Sequence, residues 1–196
     1  MLFEALASFL SSSHGAAGAV ENERGLQMEA GLMFREMGCH VRFEVSCRVE
    51  PLNLAHTKPQ KRDIDLLVQA DGESLAVELK VPMAGRVPET MFDFYTDVAF
   101  VEAVVRAGIA DRGACLLLTS DPGFWSGTQA TGIYKPLRVP GAMLNGLVGK
   151  PTGKRDTAVF VAGQYRPVWR DLGNRALLSS GRYVLLEVRG DGETRA

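Results

Sequence analysis

Residues 62–80, RDIDLLVQADGESLAVELK, decide how this chain reads. Two strand-like runs, Ile64 to Ala70 and Ser74 to Val81, flank Asp71-Gly72-Glu73, a turn signal, so the stretch reads as a β-hairpin. Alternation along an extended chain puts Asp63 and Asp65 on one face of the first strand and Ile64, Leu66 and Val68 on the other. In the second strand Glu78 and Lys80 share a face, with Val77 and Leu79 opposite. Two aliphatic strands thus project carboxylates and a lysine from a hydrophobic scaffold.

The elements around the hairpin follow from periodicity and punctuation. Upstream, Leu2, Leu6, Phe9 and Leu10 form a helical stripe that ends at Ser11-Ser12-Ser13-His14-Gly15, a short helix either packed on the body or offered to a partner. A second helix is expected over Glu21 to Met37, with Leu26, Ala30, Met33 and Met37 as its apolar stripe and Gly38 as its C-terminal stop. His40 to Val49 alternates as a strand, with Val41, Phe43, Val45 and Cys47 on one face. A loop carrying His56 and the cations Lys58, Lys61 and Arg62 leads into the hairpin. Downstream, Pro82 and Pro88 bracket a turn containing Arg86. A long helix is expected over Glu89 to Ala107, striped by Met91, Phe94, Tyr95, Val98, Val101 and Val105 and closed by Gly108. Ala114 to Thr119, ACLLLT, has the continuous apolar run of a buried strand.

Asp65 followed by Glu78-Leu79-Lys80 on the next strand resembles the signature of the PD-(D/E)xK nucleases. The order helix, strand, strand, strand, helix, strand is also that family's, so the resemblance covers roughly residues 22 to 120. The chain departs from the pattern at the proline of the name, where Ile64 stands. The resemblance implies an α/β, restriction-endonuclease-like three-layer core, a central mixed β-sheet flanked by helices. It further implies a site in which Asp65, Glu78 and the backbone carbonyl of Leu79 bind Mg²⁺, with Mn²⁺ able to substitute. Such nucleases commonly carry a glutamate on the helix before the sheet, and Glu29 resembles it, with Glu23 the second choice.

Elementary chemistry is consistent with that assignment. Hydrolysis of a phosphodiester needs an activated water and neutralised charge at phosphorus, and a hard divalent cation held by one or two carboxylates supplies both. Lys80 on the same strand face would orient or help deprotonate the water and stabilise developing negative charge. Asp63 would join the site or pair with Arg62 or Lys80. The competing reading makes D-I-D and E-L-K the solvated face of a two-layer sheet, whose ion pairs contribute little.

Length and composition set the outer limits. With 196 residues, 46% hydrophobic and 23% charged, the chain reads as one domain of 1–196 with a substantial core. Its formal charge of −1 leaves any attraction to nucleic acid to a local patch. Residues 122–155 provide a candidate: Lys135, Arg138, Lys150, Lys154 and Arg155 with no acid, hence +5 locally against −6 for the remainder, plus seven glycines and the aromatics Phe124, Trp125 and Tyr134. Cations for phosphates and rings for bases are what a nucleic-acid surface needs, although a long surface loop balancing acids elsewhere has the same composition. Strands over 157–162 and 182–188, with Trp169 between them, complete the sheet or a small subdomain.

Other chemistries are excluded by spacing. KPTGKR at 150–155 does not meet the G-x-x-x-x-G-K-[ST] of a phosphate-binding loop, because Arg155 follows Lys154 and no strand leads in, so no nucleotide cofactor is expected. Gly123-Phe124-Trp125-Ser126-Gly127 is not a nucleophile elbow, and the three histidines have no evident partners. Cys39, Cys47 and Cys115 lack zinc spacing and read as reduced thiols of a cytoplasmic protein. No apolar run reaches membrane-spanning length. The expected function is DNA hydrolysis by a homodimer with one site per strand. The alternative is a catalytically inactive nucleic-acid-binding or protein-interaction module on the same fold.

Overall fold

The computed structural model describes residues 1–12, 20–50, 60–82, 85–151, 157–178 and 180–190, with the backbone alone at 60 and 61. The elements in chain order are α1 (Leu2–Ser11), α2 (Glu23–Glu36), β1 (His40–Val49), β2 (Gln60–Ala70), β3 (Glu73–Lys80), α3 (Val87–Arg106), β4 (Arg112–Thr119), α4 (Lys135–Arg138), β5 (Leu144–Gly149), β6 (Ala158–Tyr165), β7 (Arg170–Asp171) and β8 (Arg182–Arg189). Six strands form a mixed, mostly antiparallel sheet in the order β1-β2-β3-β4-β8-β7, in which β3 and β4 run parallel. The parallel pair requires a crossover, and α3 makes it. β5 and β6 form a separate two-stranded ribbon.

The chain changes direction where its backbone chemistry allows. Asp71 and Gly72 both take left-handed conformations (φ +48° and +77°), the geometry of the two-residue turn whose twist matches a hairpin. Gly38 (φ +82°) ends α2, donating its N–H to Arg35 O while Cys39 N–H reaches Phe34 O.

The sheet is flanked by helices on both faces. Against one face lie α1 and α2: Leu2, Leu6, Phe9, Leu10, Leu26, Ala30 and Phe34 pack on Leu66, Val68, Leu75, Val77, Leu79, Leu116 and Leu118. Against the other lies α3, whose Met91, Phe94, Tyr95, Val98, Val101 and Val105 pack on Ile64, Leu67, Ala76, Cys115 and Leu117, with the ribbon contributing Leu144, Val159 and Val161. The stripe of α1 is therefore buried in the body. Among the described residues no helix is long and apolar enough to cross a membrane.

Three expectations need correction. The α2 stripe runs 26, 30, 34, about one residue per turn, and leaves Met37, the C-terminal cap residue, 49% exposed. A ribbon strand, β5, lies in the glycine-rich segment read as irregular; Gly146 (φ +74°) sits at an irregularity in its pairing with β6. Most consequential, β1 and β2 change faces part-way. Val41 packs on the α1/α2 side and Val45 and Val49 on the α3 side, while in β2 Leu66 and Val68 face α1/α2 and Ile64 faces α3. Ile64 therefore does not share a face with Leu66. The switch falls at Glu44, whose backbone is left-handed (φ +48°), opposite Asp65, between the pairs Phe43↔Leu66 and Val45↔Ile64. Gln27 of α2 pins it, its buried Nε2 donating to Glu44 Oε1 (2.9 Å) and to Asp65 O (2.8 Å).

Candidate active site

The face switch opens the sheet where the sequence concentrates its carboxylates. The β2–β3 ladder runs from Ala70↔Glu73 to Leu66↔Val77 and there stops. In the gap beyond, side chains replace backbone pairing: Asp65 N–H donates to Glu78 Oε1 (3.3 Å), and Leu79 N–H donates to Asp65 Oδ2 (2.7 Å). Glu78 is 5% exposed, while Asp65 is half-buried. Leu79 turns its side chain into the α1/α2 core, so only its backbone belongs to the site.

Lys80 closes the site from the end of β3. Its Nζ lies 3.2 Å from Glu23 Oε2 on α2 and 3.3 Å from Asp97 Oδ2 on α3. Asp97 also accepts a 2.6 Å hydrogen bond at Oδ1 from Arg62 Nη2, which stands 3.9 Å from Glu78 Oε2. The Arg62 guanidinium lies over the Phe100 ring, 4.4 Å from its centre. Two strands and two helices, one helix from each side of the sheet, thus converge on one polar cluster.

That cluster is over-supplied with negative charge. Glu23, Asp65, Glu78 and Asp97 face Arg62 and Lys80, leaving two uncompensated charges if all ionise. Burial pushes the Asp65 carboxyl up to about 7 against the pull of the Leu79 amide, and the negative Glu23 and Asp97 add to the rise. Burial, then Asp65 and Asp97, holds Glu78 well above the usual carboxylate range. Burial disfavours the Lys80 ammonium, but Asp97 and Glu23 outweigh it and raise Lys80 above an ordinary lysine.

The carboxylate oxygens of Asp65 and Glu78 are the donor type that a hard divalent cation takes. Mg²⁺ takes one or two protein carboxylates and keeps much of its water, and two excess negative charges are what one such ion neutralises. Asp97 Oδ2 is buried and receives no hydrogen bond among the described residues, Lys80 standing near it without the alignment one needs. Among the described residues no group of three or more His, Cys, Asp or Glu side chains is already disposed around a metal position. The fit therefore rests on Asp65 and Glu78 with few protein ligands.

Several expected residues lie elsewhere. The α2 carboxylate that reaches Lys80 is Glu23; Glu29, six residues on and so about 9 Å along the axis on another side of the helix, is buried. Asp63 is exposed. In the basic segment, Arg138 is a staple: Nε and Nη2 donate to Gly123 O, Nη1 to Gln129 O (3.0 Å), and the guanidinium covers Tyr134 (4.2 Å). The aromatics are packed: Phe124 is fully buried, and Trp125 meets Trp169 edge-on at 5.3 Å. Lys135 is exposed and Lys150 half-buried. Lys154, Arg155 and His56 lie outside the described residues.

Asp97, Arg62 and Gln27 were not assigned to the site from the sequence. For Asp97 a signal existed. It sits three residues after Phe94 and four before Val101, a carboxylate inside an apolar stripe, where a charge needs a partner. Glu102, four after Val98, is the same case. It accepts from Ala162 N–H (2.9 Å), Gly163 N–H (2.7 Å) and Tyr165 O–H (2.9 Å), anchoring the ribbon to α3.

No protein-family model, curated protein or solved structure matches the chain. A hollow of about 400 Å³ lined by Asp71, Glu73, Ser74 and Asp111 sits at the turn end of the hairpin, away from the cluster.

Proposed function

We propose that this chain is a Mg²⁺-dependent deoxyribonuclease of the PD-(D/E)xK kind, with a restriction-endonuclease-like three-layer core. The observation that supports it most is the convergence of Asp65, Glu78 and Lys80 at the splayed end of β2 and β3, in a cluster two negative charges in excess. A surface ion pair has no need to part a ladder or to bury Glu78.

Asp65 and Glu78 would hold the ion, with the Leu79 carbonyl as the further oxygen. When bound, Mg²⁺ would supply charge neutralisation at the phosphate and a more acidic water. Lys80 acts as a fixed ammonium. With its pKa raised by Asp97 and Glu23 it keeps its proton, so its role is to place positive charge beside the phosphate and hold the attacking water rather than to remove a proton. The carboxylates, once ionised, accept hydrogen bonds from that water and orient it.

The substrate we assign is DNA, cut by a cytoplasmic homodimer with one site per strand. Lys135 and Lys150, with Lys154 and Arg155, remain the candidate backbone contacts; Arg138 is committed to its own loop. The test is cleavage of supercoiled, linear and single-stranded DNA with Mg²⁺, Mn²⁺ or EDTA, by the wild type and by Asp65→Asn, Glu78→Gln and Lys80→Met. Metal-dependent products that vanish in all three variants are expected. Products undiminished in the variants would refute the site, and DNA binding without products would favour a non-catalytic module.

A further inference from the structure

Arg62 is the member of the cluster that the proposed chemistry leaves without a task. It enters from β2, three residues before Asp65, and its Nη2 lies 2.6 Å from Asp97 Oδ1 and 3.9 Å from Glu78 Oε2. Phe100 supports the guanidinium from below at 4.4 Å. A carboxylate as buried as Asp97 in the apolar interior of a helix is costly without a cation, and Arg62 provides one. The same guanidinium also lies against Glu78, an expected ligand of the divalent ion. Asp97 as a residue is 3% exposed, and its second oxygen receives no hydrogen bond among the described residues, with the Lys80 ammonium 3.3 Å away.

We propose that Arg62 is an internal counter-cation that competes with the divalent ion for the carboxylate cluster, so that metal entry displaces it from Glu78. The inference rests on the metal-site reading above and adds its regulation. The reasoning is Coulombic. One guanidinium and one divalent ion drawn to the same carboxylate at a few ångströms repel each other in a half-buried site, where water screens poorly. Binding of either weakens the other by the same factor. Arg62 is suited to such a role because it cannot discharge by losing its proton, and because the Phe100 face gives its flat group a resting surface close to Asp97 when Glu78 is taken.

The experiment measures metal binding directly, without DNA. Mg²⁺ and Mn²⁺ are titrated calorimetrically into the wild type and Arg62→Gln, the fold of each being checked by circular dichroism. Arg62→Gln is expected to bind the ion about tenfold more tightly or better. In the wild type, saturating Mg²⁺ should raise modification of Arg62 by an arginine-directed dicarbonyl reagent, read by peptide mass mapping. This second measurement decides the matter if Arg62→Gln does not fold. Equal or weaker binding by a folded Arg62→Gln, or Arg62 reactivity unchanged at saturating Mg²⁺, overturns the competition alone. Tighter binding with no DNA cleavage by the wild type upholds the competition while removing the nuclease reading. Absence of divalent-ion binding by both proteins overturns both.

Discussion

Glu78 accepts a hydrogen bond from the backbone N–H of Asp65 at the first position beyond the β2–β3 ladder, so each of the two carboxylates is held by its neighbour's strand. The arrangement positions charge at a cost, since both groups are driven toward the protonated form. Neutral isosteres should relieve that cost. Asp65→Asn and Glu78→Gln are expected to lose metal-dependent cleavage by about 10²-fold or more, yet to melt at or above the wild-type temperature at pH 8 without metal. Thermal melts paired with cleavage assays check this; a marked fall in melting temperature for both variants would mean that the ionised carboxylates hold the fold together.

The same pair sets a pH dependence. Asp65 has a folded-state pKa of about 7 against an ordinary value of 3.8, so between those values the folded chain retains a proton that the unfolded chain releases. The associated stability is fully present below about pH 4 and is lost as pH rises through about 7, by a few kcal/mol at most, with Glu78 acting in the same direction. Urea unfolding in EDTA at pH 5 and pH 8 should show the decline. A divalent ion binds the ionised carboxylates, so saturating Mg²⁺ should flatten or reverse the slope. A metal-free slope of opposite sign over this window would contradict the environment described for Asp65.

The hairpin, α3 and β4 were legible because each obeys a local rule: a two-residue turn with Gly72, a helical stripe of long apolar residues, a continuous apolar run. The D…ExK spacing likewise brings Asp65, Glu78 and Lys80 to one end of the hairpin, as the structure has them. What a period-2 reading could not anticipate is the face switch at Glu44 and Asp65, which comes from one left-handed residue and from Gln27 reaching across from α2. Nor could it rank Glu23 above Glu29, because that choice depends on how α2 is set against β3. The aromatics of 122–155 misled for a physical reason: composition does not distinguish a ring offered to a base from one packed on Trp169 or beneath Arg138.

Glu102 supplies a test of the ribbon's attachment. Its carboxylate accepts from two backbone amides and the Tyr165 hydroxyl, and those donors are not paired elsewhere in the ladder of β6. Glu102→Ala should cost roughly 1.5–3 kcal/mol, the range for losing hydrogen bonds to a charged acceptor, since Ala162, Gly163 and Tyr165 are partly open to water. Hydrogen exchange should quicken over 144–165 more than over β2 and β3. Uniform protection loss across the whole sheet would show that the ribbon and sheet unfold as one unit.

The basic segment divides into a staple and candidate contacts, and the two should respond differently to mutation. Arg138 donates to Gly123 O and Gln129 O and covers Tyr134, so Arg138→Ala should lower stability by roughly 1–3 kcal/mol. It should leave the salt dependence of DNA binding unchanged, because a guanidinium already spent on carbonyls neutralises no phosphate. Lys135 is exposed, and Lys150 lies at the end of β5. Reversing both to Glu should leave the melting temperature close to wild type. If they touch the DNA backbone, the slope of log affinity against log salt on duplex DNA should fall by about 0.9 for each phosphate that is no longer neutralised. Fluorescence anisotropy at four or five salt concentrations, in EDTA to prevent cleavage, measures it. A slope unaltered by the double reversal would move the DNA surface off this segment and toward the rim of the splayed hairpin.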